Sequence, residues 1–347
     1  MENLWFILLE AVIKIIIVMG TLLTVVSIVT LAERRLSAFI QDRLGPNRVG
    51  PFGLFQPVAD GLKLFFKEDF TPDQVDKPFY NLAPMMVLIP SLITVAVIPF
   101  GNTLTLYGHV FRLQIADVNI GILFIFALTS LGVYGIVLGG WSSNNKYSMF
   151  GSLRSAAQLI SYELSLGLSA IGVLIITGSL KLSDVVLSQG TMIGGMIPHW
   201  NIFVQPLGFL IFLISAFAET NRLPFDLPEA EQELVGGYHT EYSSMKFVSF
   251  YMAEYCNLVA SSALIVTLFF GGWHVPYIEH MHLSSIVVEV LQIVSFGVKT
   301  SLFILLFIWV RWTLPRFKYN QLMDIGWKVL LPLALVNIVV TVTVLVF

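Results

Sequence analysis

The chain has 347 residues, of which 56% are hydrophobic and 12% are charged, and its formal net charge is −3. Charged residues make up about a quarter of a typical soluble domain, so this composition excludes an ordinary soluble protein and favours a membrane protein. The charge balance offers no broad basic surface for nucleic acid. The single cysteine, Cys256, excludes an intrachain disulfide framework and a cysteine metal cluster.

Eight apolar segments are each long enough to cross a bilayer, because one helical crossing needs about 20 residues. The first follows no basic residue and is too long for a signal-peptide core, so it is predicted to remain as a membrane helix. The predicted fold is all-α: one polytopic membrane domain, residues 1–347, with both termini on one side. The predicted spans are 5–31, 80–100, 118–140, 156–180, 202–218, 247–271, 284–310 and 326–347.

Lys and Arg are distributed unevenly over the predicted loops. The loops after the odd-numbered spans hold 15 of the 19 basic residues, whereas those after the even-numbered spans hold only Arg112 and Lys181. Cytoplasmic loops carry the excess of positive charge in membrane proteins. We therefore expect the odd-numbered loops, which are also the long ones, to face the cytoplasm.

The first long loop contains an amphipathic segment, residues 51–67. Its apolar residues recur at spacings of three or four, which predicts a helix lying in the membrane interface. A Gly-Pro-rich stretch, residues 45–51, predicts a rigid turn before it. Two interpretations stay open here, a lipid-anchoring helix and a helix that also serves function. The apolar face comprises Phe52, Phe55, Ala59, Leu62 and Phe66.

The loop after the fifth span holds the densest group of acidic residues. A charge run of this kind usually forms a solvated face, but here it is flanked by Phe and Leu and has little basic compensation. If Pro228 begins a helical turn, Glu229 and Glu233 share one face and Glu231 points elsewhere. The candidate carboxylates of this loop are Glu219, Glu229, Glu231 and Glu233.

Two further carboxylates lie inside predicted spans, Glu163 in the fourth and Glu254 in the sixth. A charged group is costly in hydrocarbon, so such residues usually face a bundle interior and are functional candidates. The alternative is a helix-packing hydrogen bond. Tyr162, Tyr251 and Tyr255 are the neighbouring residues that we expect to hydrogen-bond to them.

Other polar residues in apolar surroundings have simpler interpretations. Glu10 and Lys14 stand four apart on the first span, the spacing of an intrahelical ion pair. Lys299, in the seventh span, has no partner that the sequence identifies. His280 and His282 are too few for a metal site and favour a solvated pair.

Several chemistries have no motif in the sequence. No Gly-rich nucleotide loop, no Ser/His/Asp arrangement and no paired intramembrane histidines for haem are present. If redox chemistry takes place here, another chain carries the electrons.

Long ordered blocks of this sequence closely resemble the H subunit family of NADH:quinone oxidoreductase, respiratory complex I, known as subunit 1 in mitochondria. The likeness extends over essentially the whole chain, and such long blocks are highly specific. They are Glu33–Arg35, Gln41–Gly50, Gly140–Ser148, Ser161–Glu163, Pro224–Leu234 and Glu241–Ser243.

The resemblance implies a subunit at the joint between the membrane arm and the redox arm, walling part of a quinone chamber. It implies that Glu33, Arg34, Asp60 and Lys63 line or brace that chamber, with the interfacial helix and the first and sixth spans framing its entrance. An acidic route would connect the chamber to antiporter-like subunits. Its residues would be Glu163, Glu219, Glu229, Glu231, Glu233 and Glu254.

The resemblance also implies the surroundings of the chain. Quinone, either ubiquinone or menaquinone, would be the substrate, with FMN and iron–sulfur clusters in partner subunits and no metal in this chain. The membrane would be a bacterial inner membrane with both termini periplasmic, and redox-arm subunits would dock on the cytoplasmic side. Some relatives carry a carboxylate in the third span; this chain has none there, so a relay would use Tyr134, water or other residues.

Alternative functions remain open on sequence alone. The chain also fits the equivalent subunit of a membrane-bound hydrogenase or of an oxidoreductase with another donor, because the donor binds elsewhere. A stand-alone ion transporter also requires intramembrane acids. The motif-rich loops favour docking of soluble subunits instead, and a purely structural anchor leaves the carboxylates without a role.

Overall fold

The computed structural model describes residues 2–106, 109–193, 197–228, 231–278 and 284–347. Long helices run between two ends of a bundle, and short hairpins and turns connect them. The helices are α1 (Glu2–Ile40), α2 (Gln56–Phe65), α3 (Lys77–Thr94), α4 (Gly121–Ser142), α5 (Lys146–Thr177), α6 (Leu182–Ser188), α7 (Asn201–Val204), α8 (Pro206–Glu219), α9 (Glu231–Leu234), α10 (Ser244–Phe269), α11 (Ser285–Thr313), α12 (Tyr319–Asp324) and α13 (Leu331–Val346).

Two short antiparallel hairpins lie at one end of the bundle, which we call the hairpin end. They pair β1 (Thr103–Leu106) with β2 (His109–Arg112), and β3 (Met192–Ile193) with β4 (Ile197–Pro198). The opposite end carries the acidic and basic loops, and we call it the charged end.

The described residues contain seven helices that are long and apolar enough to cross a membrane. The last of them runs continuously from α12 to α13 through a π-helical turn, Ile325–Leu330. The predicted long apolar helices are thus confirmed, and the described residues are mostly helical; the two hairpins are an addition that the all-α prediction did not include. The fifth predicted span, 202–218, is instead divided between α7 and the 14-residue α8.

The break between α7 and α8 is stabilised by buried polar side chains. The Gln205 amide donates to Thr341 Oγ1 at 2.6 Å and accepts from Asn337 Nδ2 at 2.8 Å. Gly172 permits this arrangement, since a Cβ there would lie 2.8 Å from Gln205 Oε1. Near the start of α7, Asn201 Nδ2 donates to the Leu268 carbonyl at 2.7 Å. Residues 201–219 therefore extend from the hairpin end of α10 towards the charged end.

Several helices begin or end beyond their apolar runs, because capping and helix propensity continue a helix that hydropathy alone would end. α5 begins at Lys146, ten residues before the predicted span, where the Asn145 side chain accepts from the Tyr147 amide at 2.9 Å. α1 continues to Ile40, so Glu33 and Arg34 lie on its last turns.

The amphipathic segment of the first loop forms a 3₁₀ turn, Pro51–Gly53, followed by α2. The preceding turn has Gly50 at φ +72°, as the glycine in this stretch predicts. Phe52, Phe55 and Phe66 are all exposed, so the apolar face is not covered by the rest of the chain. The helix is shorter than the predicted 51–67 but keeps this face.

Lys299 has its partners in the structure. Its ammonium group donates to the carbonyls of Phe270, Gly272 and His274 at 2.9, 3.1 and 2.7 Å, and lies 4.6 Å from the centre of the Trp200 ring. These carbonyls lie just beyond the end of α10. The C-terminal end of a helix carries unpaired carbonyls and a partial negative charge, so it attracts a cation such as Lys299. Lys299 therefore fastens α11 to the end of α10.

Replacing Lys299 by Met is expected to lower the free energy of unfolding by about 2–4 kcal/mol, because three buried carbonyls lose their donor. Thermal unfolding in a mild detergent measures this as a lower transition temperature. Lys328→Met is the matched control, since Lys328 is exposed and, within the part of the chain that the structure describes, pairs only with Asp324, at 2.7 Å; we expect a loss below about 1 kcal/mol. Equal shifts in the two variants would refute the role assigned to Lys299.

The Glu10–Lys14 ion pair is confirmed at 2.5 Å. His280 and His282 lie outside the described residues.

Candidate functional site

A buried group of charged residues lies at the charged end, where α1, the turn after α8, α10 and α11 meet. Arg222 donates from Nε to Glu254 at 2.6 Å and from Nη1 to Glu33 at 3.2 Å. Arg311 pairs with Glu33 at 2.7 Å and lies 3.9 Å from Glu254. We call these four residues the Arg222 cluster. It contains two cations and two carboxylates, so its formal charge is zero.

Two tyrosines of α10 lie beside the Arg222 cluster. Tyr255 donates its hydroxyl to Glu33 at 2.7 Å, and its ring lies 4.2 Å from the Arg222 guanidinium carbon. Tyr251 and Tyr255 share a hydrogen bond of 2.9 Å between their hydroxyls. The predicted partner of these two tyrosines was Glu254. In the structure the Tyr255 hydroxyl bonds to Glu33, and the Tyr251 hydroxyl bonds to Tyr255. Tyr162 is also different, since its hydroxyl donates to the Leu322 carbonyl at 2.8 Å.

Arg222 is 1% exposed, and its positive charge is stabilised by the carboxylates of Glu33 and Glu254. Burial alone lowers the pKa of a guanidinium, but the carboxylates of Glu254 and Glu33 outweigh it, so the pKa of Arg222 lies above its usual value. Its Nη2 has no hydrogen-bond partner among the described residues. Arg222 Nη2 is thus a buried donor that can hydrogen-bond to the oxygen of a water or a ligand.

The turn that presents Arg222 is held by α5. Gln158 Nε2 donates to the Ala218 carbonyl and to the Phe225 carbonyl, both at 2.8 Å. These two carbonyls flank Arg222 in the chain. One buried amide therefore fixes the backbone on both sides of the guanidinium-bearing turn.

A small polar cavity adjoins the cluster. Its volume is about 30 Å³, room for one or two waters. Glu254 and Glu219 both line it, together with Asn221, Asn257 and Tyr238. The cavity therefore joins a carboxylate of the Arg222 cluster to the carboxylate that ends α8.

Beyond the cavity, two carboxylates lie close together. Glu219 is near enough to Glu163 for their charges to repel, and Thr129 lies beside it, with its hydroxyl donating to the Phe126 carbonyl at 3.0 Å. Glu163 accepts a short hydrogen bond from Ser130. Among the described residues, no Lys or Arg side chain forms an ion pair with either. The α4 groups nearest these acids are Ser130, bonded to Glu163, and Thr129, beside Glu219. Tyr134 is 62% exposed.

Two of the residues that the resemblance assigns to the chamber, Arg34 and Asp60, join α1 to α2. Arg34 pairs with Asp60 through a short contact, and Gln56 Nε2 donates to Asp60 at 3.1 Å. The Ser244 hydroxyl donates to the Leu64 carbonyl at 3.1 Å and so joins α2 to α10. Lys63 is exposed on α2. Helix α2 is thus joined both to α1 and to α10.

The acidic loop is only partly described. Glu233 is exposed and accepts from Arg154 at 2.6 Å; this hydrogen bond lowers the pKa of the Glu233 carboxyl. Helix α9 is described from Glu231 to Leu234. The helical turn that the sequence suggests at Pro228 falls on residues 229 and 230, which lie outside the described residues. The side chain of Glu231 and all of Glu229 lie outside what the structure describes.

Arg222 and Arg311 are the members that sequence reasoning missed as site residues. Both sit at span ends, where basic residues are usually interpreted as topology signals. The sequence does contain a sign of the role of Arg222, because it is the one Lys or Arg among the acidic residues of positions 219–241. Among the described residues, no group of three or more His, Cys, Asp or Glu side chains is arranged to hold a metal ion.

Comparison with known proteins gives consistent family matches. Residues 13–342 match the family described as NADH dehydrogenase. The H subunits of NADH-quinone oxidoreductase from Cytophaga hutchinsonii and Geobacter metallireducens, both named H 1, are 49% and 53% identical to this chain, over 96% and 94% of both chains. NADH-quinone oxidoreductase subunit 8 of Rhodothermus marinus is 52% identical over 95% of both chains. The chain therefore belongs to the NADH dehydrogenase family, as a multi-pass membrane subunit of the multi-subunit enzyme NADH-quinone oxidoreductase.

Proposed function

We propose that this subunit walls part of a quinone chamber and connects it, through buried carboxylates, to proton translocation elsewhere in the membrane arm. The observation that carries the proposal is the sequence of contacts from the Arg222 cluster through the polar cavity to Glu219 and Glu163. Charged groups inside a membrane bundle mark ion or proton pathways.

The chamber is proposed to lie between α1, α2 and α10, with Glu33, Arg34, Asp60 and Lys63 lining or bracing it. The exposed phenylalanines of α2 fit a helix in the membrane interface, where an apolar quinone tail enters from lipid. The Arg34–Asp60 pair holds α2 against α1, and the Ser244–Leu64 bond holds it against α10. Ubiquinone and menaquinone both suit such a chamber.

Coupling in this proposal is electrostatic. In this proposal an iron–sulfur cluster of a partner subunit would supply electrons to the quinone, and FMN elsewhere in the assembly would supply electrons to that cluster. The charge added to quinone changes the electrostatic balance at the Arg222 cluster. Water in the adjoining cavity then passes the change to Glu219, which takes up a proton and is thereby relieved of its repulsion from Glu163. Glu229, Glu231 and Glu233 extend the route at the charged end.

We also propose eight membrane crossings, with residues 201–219 as the fifth. These 19 residues span about 28 Å at 1.5 Å per residue, close to the bilayer core of about 30 Å. The charged end, with most of the basic residues, would face the cytoplasm of a bacterial inner membrane and bind the redox-arm subunits. Both termini would be periplasmic, the chain would form one membrane domain, and antiporter-like and small membrane-arm subunits would pack beside it.

Replacing Glu231 and Glu233 together by Gln tests this assignment. We expect assembled complex with quinone reductase activity and proton pumping lowered about tenfold, equivalent to about 1.4 kcal/mol in the barrier. Both are measured in membrane vesicles, with the amount of complex determined by the redox arm's activity towards an artificial acceptor. Asp324→Asn is the control, because Asp324 is exposed and its only ion pair among the described residues is with Lys328. Full pumping with normal assembly in the double variant would contradict the proposal.

A further inference from the structure

A large apolar groove opens at the hairpin end, separate from the Arg222 cluster. Its volume is about 600 Å³, and α1, α10, α11 and the segment around β1 and β2 form its walls. Along α1 it extends from Glu10 to Val25, about 22 Å at 1.5 Å per residue. Glu33 lies about 12 Å further along the same helix. The groove floor includes Leu22, Val95, Ile98, Ala260, Phe296 and Ile304.

The groove is open along one side. Ile13, Ile17 and Ile293 line it and are exposed, Ile17 by 61%. In a membrane subunit such an opening meets hydrocarbon unless another chain covers it. A long, narrow and apolar opening of this kind fits a flexible hydrocarbon chain.

The mouth of the groove at the hairpin end is charged. Glu10 pairs with Lys14 at 2.5 Å, and Asp117 pairs with both Arg112 and Lys181, at 2.7 and 2.8 Å. The charged residues that line the groove itself are Glu10, Lys14 and Arg112, two cations and one carboxylate, with a net charge of +1.

Arg112 is the cation best placed to bind a ligand at this mouth. Its side chain is 68% exposed although one nitrogen is paired with Asp117. A guanidinium has five N–H donors, so the others are free to bind the oxygens of a phosphate.

We propose that the groove binds one glycerophospholipid, with an acyl chain along α1 and the phosphate at Arg112. The dimensions agree with this occupant. Half of a bilayer core is about 15 Å thick, so a groove of about 22 Å accommodates an acyl chain of one leaflet with its glycerol region. The excess positive charge favours a phosphodiester headgroup, and an anionic lipid over a zwitterionic one.

The competing occupant is the isoprenoid tail or ring of a quinone. A quinone ring seeks a buried hydrogen-bond donor, and Thr300 provides one: its hydroxyl lines the groove and has no partner among the described residues. Thr300 lies deep, however, about 22 Å along α11 from Ser285, away from the charged mouth. The charges therefore favour a lipid, and Thr300→Val separates the two occupants.

The test uses the assembled complex in vesicles of phosphatidylglycerol and phosphatidylcholine containing a photoreactive acyl-chain analogue of phosphatidylglycerol. After illumination, labelled peptides are mapped by mass spectrometry. We expect labelling of residues 13–22 and 293–301 well above that of the exposed α13 face around Val339, which reports general lipid contact.

Two glycine variants give a matched comparison. Gly297 lines the groove, and a Cβ there meets nothing within 4 Å, so Gly297→Leu fills the groove without a clash. Gly20 is equally unobstructed on α1 but does not line the groove. We expect Gly297→Leu to lower groove labelling about tenfold, as expected for about 1.4 kcal/mol of lost binding, whereas Gly20→Leu leaves it unchanged.

Arg112→Gln is expected to lower groove labelling by the anionic lipid about tenfold, since one charge-assisted contact to phosphate is lost. Thr300→Val is expected to leave lipid labelling unchanged. A second arm repeats the labelling with a photoreactive long-tailed quinone.

Three outcomes would overturn the proposal. The first is equal labelling in Gly297→Leu and Gly20→Leu. The second is groove labelling no higher than on the α13 face. The third is displacement of the lipid by the quinone analogue, with labelling of the groove that depends on Thr300.

Discussion

Replacing Arg222 by Met is expected to destabilise the subunit by about 3–5 kcal/mol and to prevent most of the complex from assembling, because a buried ion-pair network loses one partner. Glu33 and Glu254 would be left with Arg311 alone, and Tyr255 would lose the guanidinium against its ring. The amount of assembled complex in membranes and its thermal transition in detergent measure the effect.

A second substitution shows whether charge is the cause. Arg222→Met combined with Glu254→Gln restores one cation for one carboxylate, so we expect it to recover about 2 kcal/mol relative to the single variant. Arg222→Lys keeps the charge but cannot bond to Glu33 and Glu254 with the planar geometry of a guanidinium. Its stability is expected to be intermediate. A double variant no more stable than Arg222→Met would show that packing, and not charge, explains the loss.

Replacing Glu219 by Gln is expected to abolish most proton pumping while the complex still assembles. The amide keeps the shape of the side chain and its contact with Thr129 but cannot bind and release a proton. We expect pumping in vesicles to fall at least about tenfold.

Glu289→Gln is the matched control for this variant. Glu289 is also a buried glutamate of the bundle, but it lies at the hairpin end and accepts from the Thr105 amide at 3.2 Å and from its hydroxyl at 3.0 Å. Its replacement is expected to affect stability and to leave the ratio of protons to electrons unchanged. Equal loss of pumping in both variants would remove the special role of Glu219.

The helices were largely predictable from hydropathy, since the described structure has helix at every predicted span. The fifth span differs in that it is divided between two helices. Residues 202–218 are apolar enough for one helix, but Gln205 takes a conformation outside the helical region and bonds to Asn337 and Thr341 from α13. Contacts from a distant helix interrupt the run, and no local pattern predicts them.

The candidate site was predictable as residue types and not as an arrangement. The energetic cost of a charged group inside a membrane identified Glu163 and Glu254 as candidates. Both form polar contacts, with Ser130 and Arg222 respectively. The partner of Glu254, Arg222, is 32 residues away in the chain, and Tyr255 bonds to Glu33 on a helix 222 residues away. Such pairings depend on how the helices pack, which sequence spacing does not specify.

Infrared difference spectroscopy of the assembled complex during quinone reduction tests the central claim most directly. If quinone reduction changes the protonation of the buried carboxylates, the wild-type spectrum contains a carboxyl C=O band that shifts with isotopically labelled glutamate. We expect this band to disappear in Glu219→Gln and to persist in Glu289→Gln. An unchanged band in Glu219→Gln, with quinone still reduced, would contradict the proposed connection between the Arg222 cluster and Glu219.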